Sequence, residues 1–209
     1  MKKNEVILKR QSTRIYFKNG DTDFFFNWLL GIGEVFGFSH GELYFLTQKL
    51  GKSPKPDDWK NIFLSHGNYL KQKASNSDLS EQTKAQYYLA QTYSLRSAIQ
   101  FINPFSDEYL STVHQMEQAF SNAIHSLGAP IEKLTITYQD SYLPGYYLHT
   151  GDDCPTLIMI GGGDTYREDL FYFAGYPGWI RKYNVLMVDL PGQGSNPSRE
   201  LVFDVDAST

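Results

Sequence analysis

Residues 155–197 constrain the fold of this chain more than any other stretch. Two apolar runs lie there, TLIMI at 156–160 and VLMVDL at 185–190, and each stops at a glycine-rich turn, GGGD and PGQG. Runs this short do not make a buried helix, and apolar runs without polar alternation are typical of strands buried on both faces. Both are therefore expected to be buried, parallel strands. The interval between them, residues 166–182, has the length of a crossover helix, and Gly175, Pro177 and Gly178 are expected to break or shorten its second half. In such a unit the loops sit at the carboxyl ends of the strands, where open α/β sheets place their sites.

The GGGD turn, Gly161 to Asp164, puts three residues without a Cβ at one of those ends. Backbone N–H groups can then approach a phosphate or a developing oxyanion closely. A phosphate loop needs G-K-[ST] after its glycines and a dinucleotide fingerprint needs G-x-G-x-x-G; neither GGGDTY nor GQGSNP supplies them. An oxyanion turn is compatible with GGGD, since α/β-hydrolases take one donor from a glycine-rich loop after a core strand. Simple turn chemistry is the alternative for the same glycines.

Upstream the hydrophobic period is helical. FFFNWLLGIGEVFGF at 24–38 is too short to span a bilayer and is expected as a buried helix interrupted by Gly31 and Gly33. Ser39 and Glu42 form a capping box for a helix running to about residue 50, and Asp57 or Asp58 is expected to cap the next. There Trp59, Ile62, Phe63, His66 and Leu70 share one face, which makes His66 a core or interface histidine. Ser80 caps a third helix, with Ala85, Tyr88, Leu89, Leu95, Ile99 and Ile102 as its buried stripe. Ser106 caps a fourth, with Tyr109, Val113, Met116, Phe120, Ile124 and Leu127 buried until Gly128 and Pro130 stop it. From Ile131 the period changes to two, and LTITY, a QDSY turn and LPGYYLHT form a hairpin. That switch places a boundary between a helical part at 1–128 and a sheet part at 129–209. Residues 1–20 are basic and partly alternating, a short strand or a loose arm.

Composition removes several function classes. Net charge is −4 with no basic block, which argues against nucleic acid or an anionic membrane surface as partner. No secretory or transmembrane segment is legible, which points to the cytoplasm. The single Cys154 has no base beside it and is assigned a structural role. His114 and His125 are too far apart for an i, i+4 metal pair, and neither a metal nor a cofactor is expected.

Several stretches together resemble an α/β-hydrolase branch in which a helical domain precedes the hydrolase core. They are WLLGIGEVFGFSHGELYFLTQKLGKSPKPDDW, LPGYY at 143–147, PTLIMIGGGDTYRED and DLPGQG. The branch is the one that holds 2,6-dihydroxypseudooxynicotine hydrolase and the fermentation-respiration switch protein. The resemblance implies an α/β fold with an N-terminal, cap-like helical domain followed by the first strands of the hydrolase sheet. It implies hydrolysis of a carbonyl substrate, an ester or the C–C bond of an activated ketone, through an acyl-enzyme. It also assigns Gly162 and Gly163 as backbone donors or turn formers. Asp164 falls where the nicotine-pathway enzyme carries a functional acidic residue, and a helix N-cap is the other role open to it. No G-x-S-x-G occurs in the sequence. By the resemblance the nucleophile, acid and histidine would lie past residue 209, the chain alone would be inactive, and association into a homo-oligomer is open. The competing expectation is a non-enzymatic, truncated product acting as a helical interaction module.

Overall fold

The computed structural model describes residues 14–33 and 38–203. Most of the expected N-terminal strand or arm, residues 1–13, lies outside them, as do residues 34–37 of the first apolar segment. Five helices come first: α1 (Gly20–Gly33), α2 (His40–Gln48), α3 (Pro56–Ala74), α4 (Glu81–Ile99) and α5 (Asp107–Leu127). Strands β1 (Ile131–Tyr138) and β2 (Ser141–Leu148) follow, then β3 (Thr156–Ile160), two short helices α6 (Arg167–Leu170) and α7 (Tyr176–Ile180), and β4 (Asn184–Val188).

Polar side chains set the helix starts. Ser80 and Ser106 accept the N–H groups of Thr83 and Tyr109 at 3.2 Å each, and such caps contribute about 1 kcal/mol apiece. Ser39 caps α2 through the Glu42 N–H at 3.1 Å, but the Glu42 carboxylate does not complete the box. It turns instead to the buried His66, 3.0 Å away, whose other ring nitrogen meets Ser94 Oγ at 3.0 Å, so one relay ties α2, α3 and α4. Helix α3 begins at Pro56 with Lys55 as its N-cap, two or three residues earlier than Asp57 or Asp58 as caps would place it. Proline is suited to a first helical turn, and Asp58 accepts the Lys55 N–H at 3.0 Å.

Helix α4 lies between α3 and α5 and departs from its expected single stripe: every residue from Leu89 to Ile99 is buried. Its small and hydroxyl-bearing residues, Ala90, Ser94, Ser97 and Ala98, allow this closeness, with Ser94 donating to the Phe63 carbonyl and Trp59 Nε1 donating to that of Ser97. One core cluster joins Tyr93 of α4 and Phe120 of α5 to Tyr146 and Leu148 of β2 and to Val185 and Met187 of β4. Apolar packing is thus continuous from the helices into the sheet.

The sheet order is β1-β2-β4-β3, with β1 and β2 an antiparallel hairpin, β4 antiparallel to β2, and β3 parallel to β4. The crossover between β3 and β4 is helical, but Gly175, Pro177 and Gly178 do not end it. A π-turn at Phe171–Gly175 absorbs the irregularity and α7 resumes with Pro177 in its first turn. Glycine is required at 178 because a Cβ there would stand 2.6 Å from Val185 Cγ2.

The two parallel strands differ in burial, contrary to the sequence expectation. Strand β4 is central and mostly buried, whereas β3 is the sheet edge, with Ile158 71% and Ile160 56% exposed. No described residue pairs with its outer side. An apolar edge with unpaired N–H and C=O groups is a template for another strand. The 209-residue chain is therefore expected to self-associate through residues 156–160, read by size-exclusion chromatography with light scattering. Ile158→Lys should return it to a monomer with little change in thermal midpoint. A wild-type monomer whose 157–160 amides resist hydrogen exchange would contradict this.

Candidate active site

Both glycine-rich turns lie at the carboxyl ends of the parallel strands, as expected, and they interlock. The GGGD segment closes a β-turn in which Thr165 N–H donates to the Gly162 carbonyl at 3.0 Å. The Gln193 side-chain amide, from the PGQG turn after β4, donates to the same carbonyl. Arg96 of α4 donates to the Asp164 carbonyl. Against this turn lies a cavity of about 270 Å³, walled by Phe24, Phe25 and Trp28 of α1 and by Gly162, Gly163 and Thr165.

The glycines are not equivalent. A Cβ on Gly161 would fall 2.5 Å from Thr165 Cβ, so the turn itself demands glycine there. A Cβ on Gly163 would meet nothing within 4 Å, and neither Gly162 nor Gly163 has a positive φ. Both are exposed, and among the described residues their amides donate to no protein group. Free amides beside an aromatic-walled cavity can bind an anion or stabilise a developing oxyanion. Asp164 is exposed at the rim and is not a helix cap. Tyr166 takes the N-cap position of α6, and its N–H donates to Asp169 Oδ2 at 2.9 Å.

Behind the turn sits a buried ionic cluster that the sequence reading missed. Two arginines, Arg96 and Arg167, face four carboxylates, Asp169, Glu117, Glu168 and Asp189. Arg96 Nε donates to Asp169 Oδ2 at 3.1 Å, with both side chains 1% exposed. Its guanidinium stacks 3.9 Å from the Tyr166 ring centre and 5.4 Å from that of Trp28. The Arg167 N–H donates to Asp189 Oδ1 at 2.7 Å. Four tyrosines surround the charges with satisfied hydroxyls: Tyr93 donates to the Glu168 carbonyl, Tyr146 to Glu168 Oε1, and Tyr109 bonds Tyr166 at 2.6 Å and the Gly194 carbonyl at 2.9 Å.

Carboxylates outnumber cations here, but it is chiefly burial that displaces the titrations. Burial raises the Asp189 carboxyl well above its usual range against the pull of Arg167, and Glu168 and Glu117 add to the rise. Burial likewise raises Asp169 against Arg96, and Glu117 against Arg167. Burial opposes the charge on Arg167, but the surrounding tyrosine and carboxylates outweigh it and hold the guanidinium protonated. One buried oxygen each of Glu168, Asp169 and Asp189 has no hydrogen-bond partner among the described residues.

The other singled-out residues are not gathered at the turn. His66 belongs to the interhelix relay. His114 lines a shallow groove on α5, and Cys154 lies at the loop entering β3. Ser195 is 7% exposed, with its hydroxyl 3.3 Å from Arg199 Nη1. No cluster of three or more metal-ligating side chains occurs among the described residues, and no described helix is long and apolar enough to cross a membrane.

Comparison with known proteins places this architecture. An α/β-hydrolase of Acremonium sp, ucsC, is 27% identical over 188 residues, covering 79% of this chain and 38% of that protein. A hydrolase of Phaeosphaeria nodorum, phmG, is 29% identical over 174 residues, covering 72% of this chain and 39% of that protein. The crystal structure of 2,6-dihydroxy-pseudo-oxynicotine hydrolase superposes with a TM-score of 0.61 at 20% identity, over 78% of this chain and 46% of that one. The chain is a partial-length relative of the α/β-hydrolase superfamily. It spans well under half the length of the curated relatives it matches. No family model matches it. In this α/β-hydrolase relative the fold is the one expected from LPGYY, GGGD and DLPGQG, with the helices preceding the first strands of the sheet.

The ionic cluster sets the pH dependence of stability. Between about pH 4, where unfolded carboxyls titrate, and their raised folded values, the native chain holds protons that the unfolded chain has released. This contribution is fully present on the acid side and is lost as pH rises through the folded values. Asp23 has the opposite sign: it is buried, but N–H bonds from Tyr16, Ile15 and Phe17 lower it, so its contribution is lost only as pH falls through its folded value. Urea unfolding should show stability declining from about pH 5 toward pH 8, and Asp189→Asn, which keeps an acceptor for the Arg167 N–H, should flatten the decline. A wild-type stability that climbs across that window would refute the assignment.

Proposed function

We propose that this chain is the amino-terminal part of a serine α/β-hydrolase that cleaves an ester or the C–C bond of an activated ketone, with Gly162 and Gly163 in the oxyanion turn. One observation carries the reading: two adjacent glycine amides lack protein partners at a cavity wall, at positions where neither backbone angle nor crowding calls for glycine. A tetrahedral oxyanion needs such unoccupied donors and close backbone approach. The helices that close the cavity, α1 above all, act in this reading as the cap over a small-molecule carbonyl substrate, and Asp164 stands at its rim.

The nucleophile is a serine of a G-x-S-x-G elbow, and no such motif occurs in these residues. Ser195 does not replace it, because it is buried beside an arginine with no histidine bonded to it. The chain by itself is therefore catalytically silent. We expect no turnover of a p-nitrophenyl ester above background; steady turnover abolished by Ser195→Ala would overturn this part. In the enzyme completed by the elbow, acid and histidine, Gly163→Val should lower kcat by about 10²- to 10³-fold while KM changes little. The added side chain has room in the fold, so it acts by crowding the space beside the amide. An unchanged kcat in that folded variant would return GGGD to simple turn chemistry.

A further inference from the structure

A turn of three glycines is poorly suited to hold donors in place, because glycine has the widest backbone freedom of any residue. Preorganised donors stabilise a transition state only if they need not reorganise when charge develops. The GGGD turn is held by external ties. Its two inward carbonyls are gripped by side chains from opposite sides of the molecule: Gly162 by the Gln193 amide, and Asp164 by the Arg96 guanidinium. Both gripping residues are 1% exposed, whereas Gly162 and Asp164 are exposed. Water would satisfy those carbonyls without help, so hydrogen-bond satisfaction does not explain the burial of two polar side chains against them.

Each grip is itself held. Gln193 Oε1 accepts the Leu190 N–H at 2.7 Å, which leaves its amide aimed at the neighbouring turn. Arg96 is fixed by Asp169 and by the Tyr166 and Trp28 rings, and with the Gln100 amide turned oxygen-inward both of its terminal nitrogens donate to Gln100 as well. Four of its five N–H groups are thus engaged within the protein, although it borders the cavity.

We propose that Gln193 and Arg96 are positioning residues that lock the GGGD carbonyls inward; the Gly163 amide, which shares a peptide plane with the gripped Gly162 carbonyl, is thereby held in place before a ligand arrives, and the adjoining Gly162 amide is steadied with it. The structural part stands on these contacts; its catalytic consequence rests on the oxyanion reading above. Gln193 is the residue to test, because changing Arg96 would strand the buried Asp169.

The experiment is relaxation-optimised NMR on the 15N-labelled 209-residue chain, a method that tolerates a dimer. In the wild type the Gly162 and Gly163 amides should be as rigid as α4 and α5, with order parameters near about 0.85. In Gln193→Leu they should fall below about 0.6, with the helices as rigid as before. Gln193→Glu should loosen the turn at neutral pH and tighten it again as the carboxyl protonates and regains a donor for the Gly162 carbonyl. Rigid glycine amides in both variants, or loosening spread evenly through the sheet, would overturn the proposal. The oxyanion reading is tested separately in the completed enzyme, where Gln193→Leu should cost about 10- to 100-fold in kcat with KM nearly unchanged. If the turn loosens and kcat holds, the positioning stands and the oxyanion role falls; if the turn stays rigid, the positioning falls whatever the rate does.

Discussion

The structure depends on one buried cation. Arg96 leaves the last turn of α4 and reaches Asp169 at the head of α6, the carbonyl of Asp164 in the strand-end turn, and the faces of Tyr166 and Trp28. Helices from the first half of the chain are thereby joined to the loop that leaves β3. Burying a guanidinium is costly, and removing one partner of such a pair leaves a bare charge, typically at about 3–5 kcal/mol. Hydrophobic packing could have joined the helices to the sheet without that cost, as Tyr93, Phe120 and Tyr146 do nearby. What apolar contact cannot do is fix the direction of a backbone carbonyl, and Arg96 does so.

The excess of acid around Arg167 extends the same logic. Its peptide N–H and its guanidinium both meet Asp189 at the end of β4, while Glu117 approaches from α5 and Glu168 from α6. Three elements, its own helix among them, thus meet at a single arginine. Burial disfavours the charged forms, and neighbouring carboxylates add to this, so the carboxyls with resolved shifts in this cluster move upward even though a cation lies beside them. Such a cluster rewards one arrangement of the strand ends and penalises others, because any slip leaves a charge unpaired in a medium that solvates it poorly.

Much of the framework was legible in the sequence because it rests on local chemistry. Ser80 and Ser106 announce helices through their hydroxyls, Gly128 ends α5 in a left-handed conformation, and the change from a period of 3.6 to 2 marks the start of β1. The site was legible only in outline. GGGD and PGQG could be recognised as strand-end turns, but their interlocking through Gln193 joins residues thirty-one apart and leaves no periodic trace. Arg96 was invisible for a different reason. On the helical wheel it falls on the apolar stripe itself, between Ala85 and Leu89, but a stripe drawn from apolar residues alone passes over an arginine, and α4 is buried all round from residue 89. The run of small residues flanking Arg96, with Ala90, Ser94, Ser97 and Ala98, was the available signal, since small side chains on several faces permit close neighbours on several faces. Asp169 and Tyr166 were equally hidden, because an RED sequence at a helix start is indistinguishable from an ordinary solvated first turn.

The contrast between β3 and β4 shows what pattern alone cannot decide. TLIMI and NVLMV have nearly the same composition, yet one is exposed at the sheet edge and the other is buried at its centre. The difference comes from topology: the crossover returns β4 to the inner side of β3, between it and β2, so β4 gains a neighbour on each side and β3 gains one. A strand apolar on both faces is suited to an interior position, and soluble sheets normally blunt their edges with charge, proline or a bulge. Strand β3 carries none of these, since its five residues are Thr156, Leu157, Ile158, Met159 and Ile160. Its chemistry therefore fits a position with a further strand beside it better than the edge it forms here. The donors of the GGGD turn begin two residues after that strand ends, so whatever steadies β3 also steadies the base from which the turn projects.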